Sequence, residues 1–359
     1  MISRAARAEA QRLVRLFLEG GAEEVEAAIL QPADQLLDLY GEDVRARAFV
    51  TADPHRGEMM LRPDFTVPVA RLHMEGGRDP ARYAYAGEVF RRQEEEGRAP
   101  ETLQAGFELF GGHDPARADA EVFATLLGAV ADLSPRAETG DIGLLTAAVS
   151  GLRTTEARKA ALLRHVWRPV RFRALLDRYG GRTRPPEGRA RLLALPDPFE
   201  GSGPEIGLRT RAEVEARLAA LRGDAAAPPL AAGEIDLIDA LLDIEAPAPA
   251  ALGQLRAIAR DLPAVGPAVD RLARRLDALA ARGVDVGALA FEGSFGLTTL
   301  EYYDGFVFAL SAPGRPDLPP LATGGRYDAL TRVLGRGRAV PSVGGVIRPE
   351  VVIALRGLS

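Results

Sequence analysis

Five short segments carry residue types that could do chemistry. In Leu103-Gln104-Ala105-Gly106-Phe107-Glu108-Leu109, an extended chain has period two. It puts Gln104, Gly106 and Glu108 on one face and Leu103, Ala105, Phe107 and Leu109 on the other. An amide and a carboxylate with a glycine between them suit an ammonium or an imidazole N–H. The plainer reading is a strand with one solvent face, its glycine marking a bulge. In Leu61-Arg62-Pro63-Asp64-Phe65-Thr66-Val67-Pro68-Val69-Ala70-Arg71, Pro63 ends extended pairing. Asp64 and Thr66 then sit at a turn, where they either cap the next helix or reach a ligand. Tyr83 to Gln93 is an aromatic strand running into Arg91 and Arg92. An arginine at a strand end can grip a carboxylate or phosphate bidentately, or simply decorate a charged hairpin tip. Thr323-Gly324-Gly325-Arg326-Tyr327-Asp328 reads as two glycines before a short helix, open to close backbone approach or to an ordinary turn. Leu300 to Phe308 reads as a strand with the paired Tyr302 and Tyr303, a pattern that usually only fills a core.

The elements that must position these residues are mixed. Residues 3–19 have helical spacing, with Leu13, Leu16 and Phe17 on one side and Gly20-Gly21 as a stop. Residues 58–113 read as short extended runs separated by turns. Asp114-Pro115 reads as an N-cap and first-turn proline ahead of Val122, Leu126 and Val130. From about 145 to 285 the chain turns rich in Ala, Arg, Leu and Pro. The spacing there predicts helices over 155–167, 170–178, 211–222, 234–243, 251–261 and 267–281. The last carries the stripe Val269, Leu272, Leu276 and Leu279, with Gly283 as C-cap. Proline-bearing breaks at 185–204, 227–229 and 247–249 separate them. Strand-like, glycine-rich segments return after 287. The order predicts one α+β domain over 1–359, interrupted by a helical insertion or subdomain at 145–285.

Composition excludes several functions. The chain has 359 residues, about two to three average domains and ample for a large core. With Lys+Arg 45 against Asp+Glu 50 the formal charge is −5, so a wrapped nucleic-acid surface is not expected. There is no cysteine, which removes disulfides, thiolate catalysis and cysteine-ligated metals. Lys159 is the sole lysine, and no Gly-Lys-Ser/Thr phosphate loop is present. His55, His73, His113 and His165 are scattered without an H-x-x-x-H pair, so no metal site is expected. No apolar run approaches the roughly 18 residues of a membrane helix, and the charged N-terminus carries no signal core. The expectation is a cytoplasmic protein without a membrane association.

Each segment is weak alone, but their order is specific. L-R-P-D-x-T, Y-x-Y-x-G-E-V-F-R, Q-x-G-x-E, L-E-Y-Y-x-G-x-V-F and G-G-R-Y-D resemble the catalytic domain of histidyl-tRNA synthetase. The resemblance runs from about residue 3 to the C-terminus and implies a class II synthetase fold, an antiparallel sheet flanked by helices, usually dimeric. It implies an amino-acid pocket at Asp64, Thr66, Arg91, Gln104, Glu108, Tyr303 and Tyr327. Acidic and amide groups of this kind hold the amino group and imidazole ring in that family.

The departures bear on function. Thr298 stands where the synthetase has an arginine four residues before the first tyrosine of the Y-Y pair. Arg348-Pro349-Glu350-Val351 stands where it has G-L-E-R, so Val351 replaces an ATP-contacting arginine. Losing one such preorganised contact typically costs about 10²–10³ in rate. Arg348 is a potential substitute, although Pro349 beside it is expected to distort the motif. Asp64 stands where the synthetase has glutamate. The sequence ends at Ser359, just past the last motif, and the expectation is a protein without an anticodon-binding domain.

These features resemble the paralogous family of ATP phosphoribosyltransferase regulatory subunits, in which L-R-P-D-x-T-V-P-V-A-R also fits. The resemblance implies a non-catalytic partner of the short-form catalytic subunit in the first step of histidine biosynthesis. Such a protein works allosterically and confers histidine inhibition. It implies a homodimer within a hetero-oligomer, no catalytic residue, no cofactor and L-histidine as a potential ligand, in the inherited pocket or at the subunit interface. The competing expectations are a residual amino-acid-activating ligase and a free-standing RNA-binding or sensor module.

Overall fold

Glycine, rather than bulk, organises the centre of the main sheet. The structure, a computed structural model, describes residues 2–33, 46–93, 99–201, 203, 206–298 and 302–357. Its strands are β1 (Glu23–Glu24), β2 (Leu30–Pro32), β3 (Val50–Asp53), β4 (Gly57–Leu61), β5 (Ala81–Phe90) and β6 (Glu101–Phe110). They continue with β7 (Arg136–Asp141), β8 (Glu245–Pro247), β9 (Ala290–Glu292), β10 (Phe306–Ser311), β11 (Ala322–Arg326) and β12 (Ser342–Ile347). The order β1-β5-β6-β12-β11-β10-β7-β9-β8 makes a nine-stranded sheet, and β2-β4-β3 a small separate one. Neighbours in the large sheet run antiparallel except β1–β5 and β7–β9. In its middle, Gly325 pairs with Gly344 and Gly344 with Glu108. A Cβ on Gly324 would lie 2.5 Å from Gly344 O, and one on Gly325 2.7 Å from Phe306 O. Gly324 and Gly325 therefore sit inside β11 and are not a turn before the helix. They let neighbouring backbone and rings close up, as strand glycines often do.

Helix starts follow the sequence signals. Ser3 caps Arg4–Glu19 by accepting from Ala6 N, and Gly21 (φ +87°) follows its end. Leu13, Val14 and Phe17 are buried, and Phe17 meets Phe107 with ring centroids 5.6 Å apart. Leu16, expected on the same side, is exposed, because the buried face runs through Ala6, Ala10 and Val14 instead. Asp114 caps Pro115–Ala129 through the N–H groups of Ala116 and Arg117. The segment read as extended runs and turns between 58 and 113 also contains the helix Thr66–Gly76.

The predicted helices in the middle section appear as Glu156–Leu163, Pro169–Tyr179, Arg211–Ala226, Ala232–Leu242, Ala248–Asp261 and Gly266–Ala280. Gly283 (φ +80°) follows the last, and Val284 N–H reaches back to Leu279 O at 3.1 Å. Two helices had no clear periodic signal: Ile142–Gly151, capped by Asp141, and Glu187–Ala194, inside a proline-bearing break. The section is not purely helical, since β8 adds an edge strand to the main sheet beside β9. Its buried residues Leu176, Leu255 and Leu272 belong to the same apolar core as Phe107 and Val343. Arg275 ties it further inward. Its Nε donates to Asp119 Oδ2 at 2.8 Å and its Nη2 to Asp141 Oδ2 at 2.9 Å.

Candidate functional site

A cavity of about 320 Å³ lies over β6, β10, β11 and β12, and is lined among others by Asp64, Thr66, Arg91, Gln104, Tyr303 and Arg348. The turn after β4 delivers Asp64 and Thr66 to it. Asp64 meets the start of the next helix and borders the cavity as well. Val67 N–H donates to its Oδ1 at 3.4 Å at the start of the helix, while Oδ2 accepts from Tyr302 Oη at 3.3 Å. Arg91, at the end of β5, donates from Nε to Pro63 O at 2.8 Å, so the guanidinium also clamps the turn carrying Asp64. Gln104 is 4 % exposed, and its Oε1 has no hydrogen-bond partner among the described residues. A buried acceptor left open is costly, which makes it a natural contact for a ligand donor.

Glu108 and Tyr327 do not line the cavity; they lie beneath it. Glu108 is fully buried. Its Oε1 accepts from Thr66 Oγ1 at 3.0 Å and Tyr85 Oη at 2.8 Å, and its Oε2 from Tyr327 Oη at 2.6 Å. Neither face of β6 meets solvent in this stretch, so the solvent-face reading fails. Burial pushes the Glu108 carboxyl up to about 7, against the lowering effect of its three hydroxyl donors. Gly106 leaves room not for a ligand but for the Tyr85 ring, into which a Cβ at 106 would run. Tyr85 and Tyr327 are held far above the ordinary phenol range, first by burial and then by the nearby Glu108 carboxylate.

Two features of the tyrosine segment differ from expectation. Tyr302 and Tyr303 precede β10 and stand in a turn and loop, while residues 299–301 of that motif lie outside the described residues. Tyr303 is oriented by backbone: Trp167 Nε1, from the helical section, donates to Tyr303 O at 3.2 Å. The polar loop 94–98 after Arg91 likewise lies outside the described residues.

Arg348 also corrects an expectation. Pro349 does not distort its surroundings; it is the first residue of the helix Pro349–Leu355, where its fixed φ and missing N–H fit. The Arg348 guanidinium lines the cavity, donating to Pro320 O at 2.7 Å and Thr323 Oγ1 at 3.4 Å. Burial, and then the neighbouring Arg91, lower it to about 10. Thr298 lines the cavity too, whereas Val351 is buried in the core. With the carboxylates of Asp64 and Glu138, an open amide oxygen and the three arginines Arg47, Arg91 and Arg348 around one space, the cavity can take a zwitterion, ammonium toward Asp64 and carboxylate toward arginine.

The model of the histidyl-tRNA synthetase family matches residues 2–197 and 210–352. An ATP phosphoribosyltransferase regulatory subunit from Brucella anthropi is 35% identical over 347 residues, covering 90% of each chain. One from Brucella canis is 35% identical over 357 residues, covering 94% of each. The chain belongs to the histidyl-tRNA synthetase-like family, among the ATP phosphoribosyltransferase regulatory subunits. Solved structures share the class II synthetase fold. A regulatory subunit/histidyl-tRNA synthetase from Bacillus halodurans aligns with TM-score 0.68 at 20% identity, over 98% of this chain and 79% of that one. A histidine–tRNA ligase subunit from Alicyclobacillus acidocaldarius aligns with TM-score 0.61 at 24% identity, over 99% and 93%.

Within this family frame, sequence reasoning missed Tyr85, Tyr302 and Trp167 as parts of the site. Tyr85 had a signal: it alternates with Tyr83 and Gly87 along β5 and pairs with Gly106, the small residue already singled out. Trp167 had none, since its contact with Tyr303 O spans 136 positions. The buried His73 is structural. Its ring nitrogens meet Tyr83 Oη at 3.2 Å and Asp79 Oδ1 at 2.9 Å, and it stacks on Phe110. Among the described residues no helix is long and apolar enough to cross a membrane.

Proposed function

We propose that the chain is a regulatory subunit of ATP phosphoribosyltransferase, acting in the first step of L-histidine biosynthesis in the cytoplasm. It binds the short-form catalytic subunit and biases that subunit between states of different activity, with no catalysis of its own. Coupling of this kind is reciprocal, so the catalytic partner's ligands must also alter ligand affinity on this chain. The carrying observation is the 35% identity, over 90% of both chains, to a protein of that name. The cavity adds support as a place for an amino acid, with L-histidine as ligand through Asp64, Thr66, Arg91, Gln104 and Tyr303. Glu108 and Tyr327 hold its floor. We read 1–359 as one class II synthetase-like domain, with 145–285 as a helical subdomain, and the complex as containing a homodimer of this chain.

The test is co-purification with a short-form catalytic subunit, then assay of that subunit with and without this chain and with added histidine. A complex with raised, histidine-sensitive activity is expected; no complex and no change in rate would remove the reading. The Arg348 and Arg91 guanidiniums in the cavity keep one alternative specific, a residual amino-acid-activating ligase. Histidine-dependent pyrophosphate exchange above a no-protein control would favour it.

A further inference from the structure

The helices Thr66–Gly76 and Asp328–Leu334 pack together, and both begin at the floor of the cavity. Thr66 Oγ1 and Tyr327 Oη, one at each start, donate to Glu108. The far ends meet again at the surface. Gly335 packs against Met74, and Arg338 Nη2 donates to Met74 O at 3.2 Å. The surface there is open and of one sign. Val333, 61 % exposed, stands among Arg332, Arg336 and Arg338, all exposed. The side chains of Arg332 and Arg336 make neither a hydrogen bond nor an ion pair among the described residues.

The carboxylates of these two helices and the turns after them are engaged elsewhere. Glu75 faces Arg71, Asp79 meets His73, and Asp328 accepts from Arg326 and Ser342 N–H. Arg336 also holds a position that costs. It follows the helix end with φ +52°. Its N–H donates to Val333 O at 3.1 Å, and Gly337 N–H donates to Arg332 O at 2.8 Å. This pair of bonds is a Schellman end, whose left-handed residue is usually glycine. A side chain there is disfavoured by its own Cβ. Backbone held against its preference clusters at functional sites.

We propose that this patch docks an acidic face of the short-form catalytic subunit, with Val333 entering an apolar hollow and Arg336 and Arg338 meeting carboxylates. An apolar anchor ringed by arginines suits a protein interface, where arginine is enriched and contacts of complementary charge set the register. A second copy of this chain is a poorer occupant, because a twofold contact through the patch would set arginine against arginine. The inference rests on the regulatory reading above and gives it a route. Docking fixes the ends of two helices whose starts hold Glu108 beneath the amino-acid cavity, so partner and ligand act on the same pair of elements.

Calorimetric titration of the full chain with the short-form catalytic subunit, at fixed salt, tests this. Arg336→Gly should weaken the complex about tenfold, the loss of one charge-assisted contact, while raising the unfolding midpoint of the free chain. Arg336→Glu should weaken it further by reversing the charge, and Val333→Ser about tenfold by removing the anchor. A parent chain that forms no complex removes the regulatory reading and this surface with it. A parent that binds, with all three variants binding equally well, overturns the surface alone. So does a fall in the stability of Arg336→Gly alongside its loss of binding, which would make Arg336 a structural residue. A change in the size of the free chain in these variants overturns it too, by assigning the patch to self-association.

Discussion

Glu108 on β6 and Gly344 on β12 face one another, and the carboxylate occupies the space where a side chain at 344 would begin. The glycine thereby permits a charged group, three hydroxyl donors and four strands to share the middle of the sheet. Gly344→Ala should force Glu108 out of its Thr66, Tyr85 and Tyr327 hydrogen bonds. Overpacking of this kind costs about 1–3 kcal/mol, more where a buried polar group also loses its partners. Chemical denaturation of the variant should show that loss; an unchanged midpoint would mean that the strands part easily here.

Glu108 should also give the protein a pH-dependent stability. Burial raises the carboxyl from 4.5 to about 7, so the folded chain holds this proton more tightly than the unfolded chain. Between those two values the native state binds more protons, and stability falls as pH rises through the window, levelling off above it. The full effect is on the order of 3 kcal/mol. Urea denaturation at a series of pH values should show this slope in the parent and not in Glu108→Gln. Parallel curves would assign the slope to other groups.

Asp64 and Gln104 are the groups of the cavity best suited to a ligand's N–H donors. Asp64→Asn and Gln104→Ala should each weaken histidine binding roughly 10–100-fold, the range of one hydrogen bond involving a charged partner. Isothermal titration reads this directly. Equal affinity in all three proteins would move histidine out of this pocket and toward the interface with the catalytic partner.

Trp167 couples the helical section to the cavity through Tyr303 O. Trp167→Phe keeps an aromatic ring and removes the donor. The expected outcome is a stability loss of about 1 kcal/mol together with weaker ligand binding, because the loop carrying Tyr303 loses its support. A variant that loses stability but binds as before would show that the loop is held elsewhere.

Much of the site was legible in the chain. Asp64, Thr66, Arg91, Gln104 and Tyr303 line one cavity, a set that came from the family resemblance of the motifs; local geometry by itself placed only Gln104 and Glu108 on one strand face. Asp114 and Ser3 cap the helices they precede, which is local geometry too. The layering was not legible. Period two says that Gln104 and Glu108 share a face, yet only Gln104 borders the cavity, since whether a face meets ligand, solvent or protein depends on what packs over it. Gly106 and Gly324-Gly325 were visible as glycines, but the atoms they make room for, Tyr85 and the backbone of β10 and β12, come from distant chain positions.

From residue order came the family and its motif residues, through the resemblance of five motifs in sequence along the chain, and the helix starts and the helical character of the middle section, which rest on spacing within a few turns. Folding in three dimensions settled what spacing cannot reach. It sank Glu108 among hydroxyls, turned Arg348 into the cavity and left Arg275 with an unmet donor. Each of those outcomes depends on long-range contacts and desolvation, which are properties of neighbours the local sequence does not name.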